Sequence, residues 1–167
     1  MDNLIKKNYR ALEFIHSVEN GVLVIITAAI VLFSGLQIVL RNVFESGIAW
    51  VPPMLGILVI WVGLLGALIA TRNNAHIKIN VLTTYLSDKY KPLAFAASYL
   101  FSAIILFVLT YYSIEFVKLD LDSNAVAFGD VPVWLAQSIL PVTCLLMGIR
   151  YTAYSIINVI DIVKRFF

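Results

Sequence analysis

The sequence predicts an all-α membrane protein of four transmembrane helices. Both termini are expected in the cytoplasm, with short amphipathic helices lying on the cytoplasmic surface. Three observations predict it. The chain of 167 residues is 61% hydrophobic and only 13% charged, about half the charged fraction of a soluble domain, and its mean hydropathy is +0.92. Four stretches long enough to cross a bilayer contain no Asp, Glu, Lys, Arg or His. The basic residues between those stretches alternate strongly in number from one side to the other.

The elements follow in order along a single domain, residues 1–167. Residues 2–18 carry Leu4, Ile5, Tyr9, Leu12 and Ile15 on one helical side and charges on the other, the pattern of an interfacial helix; an ordinary polar flank is the alternative. The charge-free runs are Asn20 to Leu40, Ser46 to Thr71, Pro92 to Ile114 and Val131 to Ile149, with lengths of 21, 26, 23 and 19 residues. At a 1.5 Å rise the shortest covers roughly 28 Å, close to the ~30 Å hydrocarbon thickness. The first run is too long for a signal-peptide core and follows a mixed polar segment, so it reads as an uncleaved start-transfer helix. The second exceeds a bilayer, and its helix is placed at about 50–71. Pro52 and Pro53 suit its first turn, where missing N–H donors are tolerated. The runs lack the alternation of a barrel, and backbone in lipid must satisfy itself, so helices are the reading. Pro141, inside the fourth run, predicts a kink or local break.

Sidedness comes from Lys and Arg. The amino-terminal segment, the loop after the second span and the carboxy-terminal tail together hold ten of the 12 basic residues, against Arg41 and Lys118 in the other two loops. The positive-inside rule places the richer side in the cytoplasm. Arg72 and Lys78 then lie in the cytoplasmic headgroup layer and keep the second helix from sliding outward. Beyond them Asn80 is placed to cap a surface helix over 77–90. Ile77, Val81, Leu82, Tyr85 and Leu86 would face the membrane, and Asp88, Lys89 and Lys91 would face water.

No ionisable side chain falls inside any of the four runs. A charge at mid-membrane costs about 2.5–3.5 kcal/mol on insertion scales, so it is kept where an ion path, proton relay or substrate needs it. This chain keeps none, which argues against proton-coupled transport by the chain alone. His16 and His76 flank the first and second spans at the cytoplasmic surface. Haem ligation would want imidazoles opposed within the apolar depth, so hydrogen bonding to backbone, lipid or a partner subunit is the reading for His76. The lone Cys144 reads as apolar packing. Dinucleotide, phosphate-loop, zinc-protease and paired-cysteine motifs are missing. No enzyme, cofactor or metal site is expected, and no nucleic-acid partner.

Aromatic and small residues mark depth and packing. Arg41, Trp50 and Trp134 sit at outer span ends and Tyr151 at the inner end of the fourth, as interfacial anchors. Trp61 falls some ten residues inside its helix, roughly 15 Å down, and is expected to pack on protein. Gly56, Gly63, Gly66, Ala67 and Ala70 give the second helix two small-xxx-small pairs, which let helices approach closely in lipid. Packing within the chain and packing on a second protein are both open for them. The outer segment from Glu115 to Asp130 reads as an acidic loop, with Glu115, Asp120, Asp122 and Asp130 against Lys118.

Taken together, "LRNVFESGIAW" (40–50), "WVGLLGALIATRNNAHIKIN" (61–80) and "VPVWLAQSILPV" (131–142) resemble the small membrane subunit of TRAP transporters, the tripartite ATP-independent periplasmic family (DctQ-like). The matching positions are Arg41 and Phe44, Trp50, Gly66, Arg72 with His76 and Ile77, then Pro132, Trp134 and Pro141. The sequence departs from the pattern at Pro52, Pro53 and Asn80, where the family often carries acids, so no role is carried onto those three. The resemblance implies a non-catalytic subunit in a bacterial inner membrane, part of a sodium-coupled secondary transporter. A large membrane subunit would hold the substrate and ion sites, and a periplasmic binding protein would deliver an organic acid such as a dicarboxylate, a keto acid or a sialic acid. This chain, set in phospholipid, would anchor the stationary scaffold, with Trp61, Gly56, Gly63, Gly66, Ala70, Arg72 and His76 as interface candidates. The rival readings are a membrane anchor for a redox complex and a self-sufficient four-helix exporter.

Overall fold

A computed structural model describes residues 2–72 and 91–166 of the chain. His76, Lys78 and the surface helix expected over 77–90 lie outside the described residues. Four helices are long and apolar enough to cross a membrane, the spans being His16–Val43, Val51–Arg72, Leu93–Ser123 and Val133–Ile160. The elements are α1 (Asp2–Val43), α2 (Val51–Arg72), α3 (Lys91–Ser123), a hairpin of β1 (Val126–Phe128) and β2 (Val131–Pro132), α4 (Val133–Gln137) and α5 (Ile139–Phe166). The chain divides into two compact units, Met1–Ile69 with Val126–Pro132, and Ala70–Ala125 with Val133–Phe167.

In the first unit, α1 is unbroken over 42 residues, about 63 Å at the α-helical rise. The segment expected as a separate interfacial helix over 2–18 is therefore the beginning of α1. Physically nothing separates the two: residues 2–20 contain no proline or glycine, and they are rich in Leu, Lys, Glu and Ala, which favour helix. The helix ends where Glu45 turns left-handed with φ 48° and the amides of Phe44 and Ser46 both reach the Leu40 carbonyl, at 3.1 and 3.2 Å. Then α2 starts at Val51, with Pro52 and Pro53 in its first turn.

The second unit is built on α3 and α5. Ala96, Ala103 and Thr110 are buried at intervals of seven along α3, and Thr143, Cys144, Met147, Gly148 and Ser155 are buried along α5. Contacts of Gly148 with Phe107 and of Ser155 with Ala96 make the two helices antiparallel. The seam is made of small residues, the composition that allows close approach where lipid offers no hydrophobic drive. A Cβ on Gly148 would sit 3.3 Å from a ring carbon of Phe107 and 3.5 Å from Leu106 Cβ, so a glycine is what lets α5 lie so near α3. Buried hydroxyls turn back into their own helices, Thr110 to Leu106 and Thr143 to Ile139, each at 2.7 Å, as hydroxyls in lipid must.

Two expectations are corrected here. The acidic segment from Glu115 to Asp130 is not a loop throughout: α3 continues to Ser123, because the run from Ser113 has no glycine or proline and Glu115 pairs with Lys118 one turn on, at 3.0 Å. It stops at Asn124, left-handed with φ 50°. The remainder closes as a hairpin in which Val126 faces Pro132 and Phe128 faces Val131. Its turn is Gly129–Asp130, with Gly129 at φ 54°, the conformation such tight turns demand and glycine supplies. The fourth span, expected over 131–149, runs from Val133 to Ile160, interrupted at Ser138, and its second helix continues to Phe166. That interruption lies one turn before Pro141, which has no N–H for the Gln137 carbonyl and whose ring crowds it. Across the gap the Ser138 amide still reaches the Trp134 carbonyl at 3.0 Å and its hydroxyl bonds that of Leu135 at 2.7 Å.

Candidate partner interface

The glycines proposed from sequence lie on an outward face of α2. Gly56, Val59, Ile60 and Gly63 recur at i, i+3, i+4 and i+7 and are all exposed, which is one helical stripe. Gly66 and Ala70 lie half-buried beside it. At Gly56, Gly63 and Gly66 an added Cβ would meet nothing within 4 Å. Among the described residues, then, nothing presses on these glycines as Phe107 does on Gly148.

Trp61 lies on the other side of α2. It is half-buried and shares its face with Met54 and Leu68, both buried. Trp61 and the glycine stripe thus do not form one surface.

The carboxy-terminal end of α2 is held within the second unit. Its last carbonyls have no helical partner, and Tyr154 of α5 donates its hydroxyl to the Arg72 carbonyl at 3.1 Å, with the Thr71 carbonyl at 3.4 Å. Thr71 is buried and Arg72 half-buried. Tyr99 of α3 stands at the centre of a ring cluster, its centroid 5.8 Å from Tyr151 and 5.7 Å from Tyr154, with Phe95 at 6.5 Å. Tyr151, expected as an anchor at a helix end, is in the interior of α5 and packs in this cluster. Next to it the Ser155 hydroxyl donates to the Ala96 carbonyl at 3.0 Å.

The far end of the first unit has its own clamp. The Gln37 side chain accepts from the Ile48 amide at 3.2 Å and donates to the Ile48 carbonyl at 3.4 Å, so one amide group pairs with the loop as a strand would. Gly47 fits beneath it, for a Cβ there would lie 3.1 Å from Gln37 Nε2 and 3.4 Å from Arg41 Cγ. Trp50 packs edge-on against Phe33 with centroids 6.2 Å apart. Arg41 is exposed in the last turn of α1, and Trp134 is half-buried in α4.

Sequence reasoning missed Gln37, Tyr99, Gly148 and Ser155. Gln37 had a readable signal, being a lone amide in an apolar run, where lipid offers it no partner. Gly148 also had one, since Cys144, Gly148 and Thr152 repeat small residues every fourth position.

Comparison with known proteins fits a chain of apolar membrane helices. The family model of tripartite ATP-independent periplasmic transporters, DctQ component, matches residues 22–161. The chain belongs to that family. It is a TRAP-transporter small subunit, a transport component rather than an enzyme. It is also similar to the sialic acid TRAP transporter permease protein SiaT of Haemophilus influenzae (strain 86-028NP), at 27% identity over 122 residues, or 73% of this chain. The match spans 20% of that relative's length. The DctQ family match contains both ends of α2, the tyrosine cluster and the Gln37 clamp.

Proposed function

We propose that this DctQ-family chain is the non-catalytic brace of a sodium-coupled importer of an organic acid. It works beside a large membrane subunit that holds the substrate and ion sites, and with a periplasmic binding protein that delivers the acid. The observation that carries the reading is the outward face of α2: glycines with open space over them, on a span whose one ionisable residue is Arg72 at its last position. Such a face can admit a neighbouring helix closely, yet it offers no group to escort an ion or an acid. We assign Gly56, Gly63, Gly66 and Ala70 to the seam with the large subunit. Trp61 goes to packing on the opposite side, and Arg72 and His76 to the cytoplasmic border of the assembly. The basic-residue asymmetry puts both termini in the cytoplasm of a bacterial inner membrane, set in phospholipid. The relative's name makes sialic acid the first substrate to try, and the rest of that relative's length leaves room for the large component.

The test is purification from membranes in mild detergent, followed by reconstitution. The chain should co-purify with a larger membrane protein, and liposomes should take up the acid under a sodium gradient only when large subunit and binding protein are both present. Uptake into liposomes holding this chain alone would overturn the proposal, and so would full transport by the large subunit and binding protein without it. A Soret band in the purified chain would favour a redox anchor instead.

A further inference from the structure

The loop joining α1 to α2 encloses an open cleft of 480 Å³, lined by Gln37, Arg41, Glu45, Ser46, Gly47 and Ile48 among others. It lies between the end of one apolar span at Val43 and the start of the next at Val51, which sets it in the headgroup layer of the bilayer. The floor is preformed: Gln37 holds Ile48 by both its amide atoms, and Gly47 leaves no room for a Cβ without pressing on Gln37. Two residues of opposite charge line the cleft four positions apart, Arg41 and Glu45, both exposed. No ion pair joins them among the described residues. The nearby start of α2 offers no backbone donors of its own, because Pro52 and Pro53 have no N–H and the amides of Val51 and Met54 are taken by the Ile48 and Trp50 carbonyls.

We infer that this cleft binds the headgroup of a zwitterionic phospholipid bearing a primary ammonium, with the phosphate on Arg41 and the ammonium on Glu45. Guanidinium matches phosphate with paired N–H donors, and a carboxylate accepts from an ammonium. An anionic glycerol headgroup would satisfy Arg41 but leave Glu45 beside a net negative ligand. A choline headgroup would offer Glu45 no N–H. Lipid is also the ligand present at this depth in greatest amount. The inference rests only on the chain's spanning a membrane and is independent of the bracing role.

The experiment is native mass spectrometry of the full chain in mild detergent, with phosphatidylethanolamine and phosphatidylglycerol of identical acyl chains at equal concentration. The ethanolamine lipid should be retained roughly threefold over the glycerol lipid, the size of one partly exposed ion pair, and phosphatidylcholine less than the ethanolamine lipid. Glu45→Gln should bring the ratio to one or below, and Arg41→Gln should lower retention of all three. Gly47→Ala, which alters no charge, should lower ethanolamine retention by pressing into the floor. Unchanged circular dichroism checks that each variant is folded. A parent ratio of one, or a ratio that survives Arg41→Gln, Glu45→Gln and Gly47→Ala alike, would overturn the inference. Loss of co-purification with a large membrane subunit in Arg41→Gln, with the lipid ratio intact, would give the cleft to a protein carboxylate and overturn it too. Because the ratio is read on the isolated chain, a failure here leaves the bracing role standing, and a failure of that role leaves the ratio.

Discussion

Two glycines in similar apolar helices should respond oppositely to the same substitution. At Gly148 a Cβ already falls 3.3 and 3.4 Å from the Phe107 ring and 3.5 Å from Leu106 Cβ, and a leucine would drive three further carbons into that seam. Overfilling a packed contact costs about 1–3 kcal/mol, offset by roughly 0.8 kcal/mol from replacing glycine in a helix. Gly148→Leu should therefore lower the stability of the isolated chain by about 0.2–2 kcal/mol. At Gly63 nothing lies within 4 Å, so Gly63→Leu meets no clash and keeps the propensity gain of about 0.8 kcal/mol. The assay is unfolding of the detergent-solubilised chain by a denaturing detergent, followed by far-ultraviolet circular dichroism, alongside the yield of complex recovered from membranes. Gly148→Leu should unfold earlier than the parent. Gly63→Leu should unfold with or after the parent yet recover less complex. A Gly148→Leu variant as stable as the parent would refute the α3–α5 seam. Undiminished complex with Gly63→Leu would refute the assignment of the α2 face to the large subunit.

Ser155→Ala removes the bond to the Ala96 carbonyl and should lower stability by ~0.6 kcal/mol, the usual worth of an interhelical bond in lipid, in the same unfolding assay. Tyr154→Phe keeps the ring cluster but strips α2 of its cap. It should cost about 0.5–1.5 kcal/mol and raise hydrogen exchange at the last turn of α2. Gln37→Leu should leave α1 helical while the Ile48 amide, now without its acceptor, exchanges faster, roughly tenfold for a loss of ~1.4 kcal/mol. His76→Ala should reduce transport only in proportion to complex recovered, and normal recovery with abolished transport would restore a direct role for the imidazole.

The spans were legible because a bilayer imposes a length and excludes charge, and both can be counted in a sequence. Pro52 and Pro53 at the start of α2 and the interruption before Pro141 were legible for a related reason, since proline's missing donor acts locally. What was not legible was how far the helices continue past the apolar runs. The charges of Glu115, Lys118, Asp120 and Asp122 end the apolar run, but charge does not end a helix, and α3 continues through all four to Ser123. Only a turn residue ends the helix, here Asn124. The same confusion split residues 2–18 from α1. The face of α2 was half legible. Its small residues announce close packing, but sequence does not say against what, and Trp61 was grouped with glycines that lie on the opposite side of the same helix.

Gln37 on Ile48, Tyr154 on Arg72 and Ser155 on Ala96 are three points where the chain binds itself across its helices or into its loop, and each is a side chain bonded to main-chain carbonyl or amide. Lipid explains the preference. Between helices in a bilayer the surrounding chains are as apolar as leucine, so apolar contact alone gives little reason to associate, and selective contact comes from close backbone approach or from a hydrogen bond. By that rule a helix face is committed to the chain when it carries one of the two. The α3–α5 seam carries both, through Gly148 and Ser155. The stripe of Gly56, Val59, Ile60 and Gly63 has the residues for close approach, but among the described residues nothing lies within 4 Å of a Cβ added at either glycine. A helix face with no partner gains nothing from glycine and loses about 1 kcal/mol of helix stability for each one. Two such losses on a single stripe are the cost that the proposed packing of this face on another polypeptide would offset.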